Sequence, residues 1–411
     1  MDPSAQSLAF WSKIGKETMQ RQEDFVSIEA ALNRGSVYLA GEAVECTVKF
    51  RCLPSSASRQ AQSLAWVSAQ IHCQCHISES KVQLPVPGHR LSTEYENIRD
   101  LNNTDFIPSR GEKGDCVFST KPKILCCDLQ LLPGQCKTVV YRETIPKDAP
   151  PSYRGQAVKY SYKITIGAQR IGCPIKLLRV PLRVLVLYGL GDVSTFNVDE
   201  EFDTTNPFLA QSKTQNSLLD LAMQVLMTVT SKKSPNTYNI SNAEGVVARF
   251  CLFKPAFKLG EDIIGTIDFS QSTVPCLQYS VVLQSEEQVS EECRRRPDQT
   301  AAISSHGKHQ EFCLHLQKSH MILPIPLHVT PSFITDIVCL KWRLHFQFIT
   351  SKEPVHEHVI PADESESAVW QGPESLPVDT LVWNLPIKIL PTNPLQAACA
   401  SVMRTNNTMK C

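Results

Sequence analysis

Glycine is scarce in this chain of 411 residues, at 17 against 27 prolines. Nucleotide folds need glycines in their phosphate turns, so this balance disfavours them and suits many short strands punctuated by proline. Net charge is missing as well: 41 Lys plus Arg meet 41 Asp plus Glu. No whole-chain field draws the protein toward polyanions, and no nucleic-acid partner is expected. Long hydrophobic runs are also lacking. The N-terminal MDPSAQSLAFWSKIGK is polar and mixed, without the apolar stretch or cleavage site of a signal peptide. Leu177 to Leu190, the most apolar run, is interrupted by Arg179, Pro181 and Arg183, short of the roughly 20 residues a spanning helix needs. The expectation is a cytoplasmic protein, neither secreted nor membrane-spanning. Its 16 cysteines are then thiols, mostly small buried apolar groups, and the N-x-S/T triplets at Asn102, Asn239 and Asn406 are chance matches. Nor does any phosphate loop, G-x-G-x-x-G turn, nucleophile elbow or H-E-x-x-H helix occur.

What is present is a globular chain, 42% hydrophobic and 20% charged, of a length that suggests two domains. It repeats itself. Gly41 to Phe50, GEAVECTVKF, matches Gly260 to Phe269, GEDIIGTIDF. Pro151-Ser-Tyr153 precedes VKYSYKITI as Pro331-Ser-Phe333 precedes VCLKWRLHF, which sets Tyr162 opposite Trp342. Each half closes on proline with aliphatic and basic residues alternating, Pro181 to Leu185 and Pro386 to Leu390. Landmarks in the same order imply one fold used twice. Bulky residues fall on alternate positions in Val158 to Ile166, Val338 to Phe346 and Ala69 to Ile77, the period of half-buried strands.

The predicted fold class is therefore all-β, two antiparallel β-sandwich domains in tandem joined by a partly helical linker. The expected boundaries are a disordered lead-in over 1–24, sandwiches over 25–190 and 246–391, a linker over 191–245 and a disordered tail over 392–411. Leu218, Leu221, Val225 and Val229 have helical spacing inside the linker, with Lys232 and Lys233 near the end, where cations suit the helix dipole. That helix either lies on a sandwich flank or binds a partner. Residues 78–115, 291–308 and 352–378 read as long loops.

Candidate chemistry is sparse. His306, His309, Cys313 and His315 are close enough in sequence for zinc, yet the first two lie in a polar loop and the last two on a strand with Glu311. In His72-Cys-Gln-Cys-His76, strand geometry sends Cys73 and Cys75 to one face and both histidines to the other, which breaks up a tetrahedral site. Cys126, Cys127 and Cys136 read as core or flank thiols, and Cys411 lacks the three following residues of a prenylation box. Asn206-Pro207-Phe208 resembles the tripeptide bound by EH domains, against a plain Asn-Pro turn. Leu8, Trp11 and Ile14 with Lys13 and Lys16 form at most one interfacial turn. No residue is singled out as catalytic, cofactor-binding or metal-binding, and no cofactor is expected.

The paired strands that open on Gly-Glu make the architecture resemble the arrestin-like fold. The resemblance extends to a narrower family. Ser119 to Gly134, Pro150 to Arg170, Leu177 to Leu187, Tyr238 to Ser241, Lys258 to Phe269, Leu323 to Leu327, Ile337 to Pro354 and Val378 to Pro391 closely resemble the retrograde Golgi transport protein Rgp family. That covers about Phe25 to Pro391. The resemblance implies the smaller, non-catalytic subunit of a guanine-nucleotide exchange factor for a Golgi Rab GTPase (Rab-six), with a larger Ric subunit as partner. It implies peripheral association with Golgi membranes through the complex, and retrograde transport from endosomes and within the Golgi. An arrestin-like cargo or receptor adaptor is the alternative. Leu218-Leu-Asp-Leu221 does not complete a clathrin box, because Ala222 stands where an acidic residue is needed.

Overall fold

The computed structural model describes residues 26–53, 61–84, 106–171, 173–188, 218–353, 376–402 and 408–410. The first half begins with β1 (Val26–Leu32), β2 (Val37–Leu39), β3 (Ala43–Cys52) and β4 (Gln62–Ile77). Then follow β5 (Asp115–Ser119), β6 (Lys123–Leu131), β7 (Cys136–Thr144), β8 (Tyr153–Arg154), β9 (Val158–Gln169) and β10 (Lys176–Leu185). A four-stranded sheet, β21-β1-β3-β7, includes the C-terminal β21 (Thr408–Lys410). It faces a sheet of order β2-β10-β9-β4-β5, with β6 on β4 and β8 on β9. Their inward side chains, among them Ile28, Val48 and Phe50 from one sheet and Ile71, Ile164 and Ile166 from the other, form a single buried core.

The second half repeats the plan. Its strands are β11 (Asn236–Ser241), β12 (Val246–Leu252), β13 (Ala256–Lys258), β14 (Asp262–Asp268) and β15 (Cys276–Val289), then β16 (Ala302–Phe312) and β17 (Lys318–Pro324). The last three are β18 (Phe333–Ile334), β19 (Val338–Ser351) and β20 (Val378–Leu390). One sheet runs β11-β12-β14-β17 and the other β13-β20-β19-β15-β16. The alternation read from the sequence is realised: β19 buries every second residue from Val338 to Phe348, so Trp342 lies inside the second core. The all-β, sandwich-like reading is correct.

The repeated residues do the same physical work in both halves. Gly41 and Gly260 take φ of +92° and +82°, a turn that a β-carbon would strain. The next residue supplies a carboxylate that accepts the turn's backbone N–H: Leu39 N donates to Glu42 at 2.6 Å, and Lys258 N to Glu261 at 2.9 Å. A cation balances each carboxylate, Arg34 at 2.5 Å and Lys254 at 2.8 Å. Both cations then lie over an aromatic ring, Tyr38 at 5.0 Å and Phe257 at 5.1 Å. The aligned aromatics are likewise anchored by their polar ends: Tyr162 OH donates to Pro150 O at 2.6 Å, and Trp342 Nε1 to Thr330 O at 3.2 Å.

Among the described residues, two α-helices complete the fold. The linker helix α1 (Leu218–Ser231) forms as its spacing predicts, but its buried stripe is Ala222, Val225, Leu226 and Thr230, and Val229 is exposed. It packs with Val37, Leu39 and Leu185 of the first half and with Ala256 and Leu390 of the second, so it wedges both. It thus lies between the two halves and not on the flank of one sandwich. Strand β11 starts inside the stretch expected as linker. A second helix, α2 (Pro394–Val402), lies in the stretch expected to be a disordered tail. Local reasons are plain: proline suits a first helical turn, the Asn393 side chain accepts from Leu395 N at 2.9 Å, and Ala397 is buried.

Candidate interaction surfaces

The metal candidates disperse. His306 lies against Trp342, ring centroids 4.7 Å apart and planes tilted by 43°, with Nε2 2.7 Å from Ser285 Oγ, and burial lowers its pKa. His309 instead reaches the Tyr279 hydroxyl at 3.3 Å. Cys313 is buried beside the Cys276 carbonyl, and His315 sits in a turn at φ +67°. Among the described residues no three His, Cys, Asp or Glu side chains converge on a metal position. In the second ligand-rich segment, Cys73 and Cys75 enter the first core while His72 points to the other face. Cys127 and Cys136 are exposed and Cys126 half-buried, as flank thiols. Asn206-Pro207-Phe208, and the N-terminal Leu8, Trp11 and Ile14, fall outside the described residues. No helix among the described residues is long and apolar enough to cross a membrane.

Where the halves meet, chemistry is concentrated that no motif announced. Glu287 on β15 is buried, and its carboxylate accepts three successive backbone N–H groups of the first sandwich: Gln156 at 2.6 Å, Ala157 at 3.0 Å and Val158 at 3.2 Å. A β-carbon on Gly155 would overlap that carboxylate, so the turn before β9 has room for it only because residue 155 is glycine. Burial, then the negative charge of Glu287, push the Tyr153 phenol pKa up. In the opposite direction Arg183 on β10 donates to two carbonyls of the second half, Leu327 at 2.9 Å and Val329 at 2.8 Å. Burial lowers the pKa of this guanidinium. Phe333, Ile337, Val338 and Leu340 of the second half pack into the first core, and Phe333 meets Tyr153 edge-on at 5.0 Å. Two charged side chains satisfied by the other half's backbone, set in shared apolar packing, hold the sandwiches as one body.

A second polar cluster covers the outer face of the first long sheet. Residues 106–114 lie across it as a strap. Phe106 meets Trp66 edge-on at 6.1 Å and fills the space above Gly167, where a β-carbon would collide with its ring. Glu112 is held by Lys163 of β9, by Arg179 of β10 at 3.3 Å and by His72 of β4 at 3.3 Å. Arg179 also donates to the carbonyls of Pro108 at 3.1 Å and Arg110 at 2.6 Å, and Gln74 to that of Gly114 at 2.8 Å. Burial alone would raise the Glu112 pKa, but Lys163, His72 and Arg179 together hold it below the usual carboxylate value. Burial lowers the pKa of His72, whose ring is fully enclosed.

The sides of the two sandwiches differ. β6 and β7 end their respective sheets side by side, and a groove of about 310 Å³ runs between them, with Ile124 and Val140 exposed at its walls. Lys123 spans it, donating to Arg142 O at 2.7 Å and pairing with Glu143 at 3.0 Å. At the corresponding side of the second sandwich, Tyr279 donates to Glu311 at 2.8 Å and lies 2.7 Å from Ser319 Oγ, so the hydroxyl ties β15, β16 and β17 together.

Comparison with known proteins adds an identity to this geometry. The Rgp1 family profile matches residues 90–202 and 194–351. The chain is 48% identical over 393 residues to the "RAB6A-GEF complex partner protein 2" of Homo sapiens, covering 93% of this chain and 99% of that protein. Against the Bos taurus protein of the same name it is 50% identical over 372 residues, 88% of this chain and 93% of the relative.

Proposed function

The chain belongs to the Rgp1 family, and on that premise we propose that it is the smaller, non-catalytic subunit of a guanine-nucleotide exchange complex for a Golgi Rab GTPase (Rab-six). Its partner is the larger Ric subunit. The complex associates peripherally with Golgi membranes, releases GDP from the GTPase and supports retrograde endosome-to-Golgi and intra-Golgi transport. The observation that carries this reading is likeness along almost the whole length of a relative named as a complex partner, 99% of which is covered.

Exchange suits a chain without a catalytic constellation. A surface that binds nucleotide-free GTPase more tightly than the loaded form weakens nucleotide affinity by the same factor, and no covalent step is needed. What the task requires is grip on switch segments whose order depends on phosphate and magnesium contacts. Two sandwiches locked by Glu287 and Arg183 offer a large, rigid platform, which limits the ordering cost of association. The test is GDP release from the Rab followed with this chain, with the Ric subunit, and with both. Release is expected to be fastest with both chains, and an unchanged rate on omitting this chain removes the proposed role.

A further inference from the structure

We infer that the outer face of the first long sheet is a binding site for an acidic, aromatic-bearing segment of a partner protein, and that residues 106–114 occupy it as an intramolecular placeholder. Among the described residues, charge around Glu112 is unbalanced: two permanent cations, Lys163 and Arg179, and one imidazole converge on its carboxylate. Closure is also incomplete. His72 Nδ1 and Thr165 Oγ1 are buried under or beside the strap with no hydrogen-bond partner among the described residues. Each buried unsatisfied group weakens the closed state, and so lowers the cost of lifting the strap.

The floor beneath the strap is polar. His72 and Gln74 contact the strap, and Gln70 and Thr165 are buried on the same face, whereas the apolar residues of the same strands, such as Ile71, Cys73 and Ile164, face the core. Lifting residues 106–114 therefore exposes little apolar surface beyond Trp66 and Phe106 and leaves the sandwich core closed. The ligand class follows from what the site reads. Lys163, Arg179 and His72 take a carboxylate, Arg179 and Gln74 take main-chain carbonyls, and the recess over Gly167 takes an aromatic ring. Main-chain recognition beside the carboxylate is peptide chemistry, and a free phosphate supplies neither the carbonyls nor the ring. An external segment competes with a tethered one, so its apparent affinity is reduced by the fraction of time the face is uncovered, and removing the placeholder removes that reduction.

The probe is a labelled synthetic peptide of the strap's own sequence, Phe106 to Gly114, titrated in trans into the full chain. Glu112→Gln, which keeps the side-chain size, and Phe106→Ala/Glu112→Ala are expected to bind it at least 10-fold more tightly than wild type. A peptide with Gln at the position of Glu112 is expected to bind at least 10-fold more weakly, and Lys163→Met/Arg179→Met to abolish the gain. Inorganic phosphate is expected not to compete, and full displacement of the peptide by phosphate would make the site a plain anion pocket and overturn the assignment. Equal affinity of wild type and Glu112→Gln would also overturn it. On the unmodified chain, saturating peptide is expected to speed hydrogen exchange at residues 106–114 by several-fold; unchanged exchange counts against the inference whatever the variants do. The readout contains no GTPase, so its failure leaves the exchange reading standing.

Discussion

The two sandwiches share their folding chemistry and differ in what they show to the outside. Both use a left-handed glycine, a turn-capping glutamate and a cation over an aromatic ring, and both tether the buried aromatic of the long central strand to the equivalent carbonyl, Pro150 or Thr330. Among the described residues the outer faces differ. The first sandwich carries the strap with Glu112 and an open groove between β6 and β7, and the second closes its corresponding side with Tyr279, Glu311 and Ser319. Duplication kept what the fold needs. The unshared residues join the halves and are the ones available for partners.

The sharpest test of equal cores is the pair of aligned aromatics. Trp342→Ala is expected to cost about 3 to 5 kcal/mol by emptying a packed site, and Tyr162→Ala a similar amount. Thermal or urea unfolding of both variants checks this, and a near-neutral value at either position breaks the equivalence. Next comes the joint, which has no counterpart in the repeat. Glu287→Ala leaves three N–H groups without their acceptor, two of them buried, and is expected to cost about 3 kcal/mol. Hydrogen exchange should rise at Gln156, Ala157 and Val158 before it rises in either core. A single cooperative transition with no local change at those amides would mean that the halves are joined elsewhere.

Smaller effects sharpen the comparison further. Glu42→Gln and Glu261→Gln weaken charge-assisted turn contacts and are each expected to cost about 1 to 2 kcal/mol. The first should cost more, because Glu42 is 6% exposed and Glu261 26%, so water screens the second pair better. The least effect is in pH. Burial holds the folded-state pKa of His72 below its ordinary 6.5. As pH falls through 6.5 the unfolded chain gains a proton that the folded chain refuses, so stability declines until the folded pKa is passed. Glu112 acts lower: its pKa lies below 4.5, and the stability it contributes is lost as pH falls through that depressed value. Melting temperature measured downward from pH 7 should fall, and His72→Gln should flatten the upper part of the decline. An unaltered slope would place the titrating histidine elsewhere.

The cores were legible in the sequence because period-two burial marks strands such as β3, β17 and β19, and because the duplicated Gly-Glu turn aligned the halves. Glu287 was not legible. Its partners are backbone amides about 130 residues earlier, and an N–H acceptor has no side-chain signature at the donor end. Strand alternation puts His72 on the face of β4 opposite Cys73, yet its burial depends on a strap forty residues away. The linker helix was visible as a spacing, but which stripe is buried depended on two sandwiches meeting it at once, so Ala222 and Leu226 replaced Val229. Local alternation reports which side of a strand is apolar. It does not report which charged residue crosses to another unit.

The central claim is that this chain acts by binding, as part of an assembly that favours the empty GTPase. The most direct measurement is the affinity of the Ric subunit for nucleotide-free and GDP-loaded Rab, with and without this chain. The account predicts that the preference for the nucleotide-free form rises at least 10-fold when this chain is present, matched by an equal loss of GDP affinity. The same preference in its absence would contradict the account.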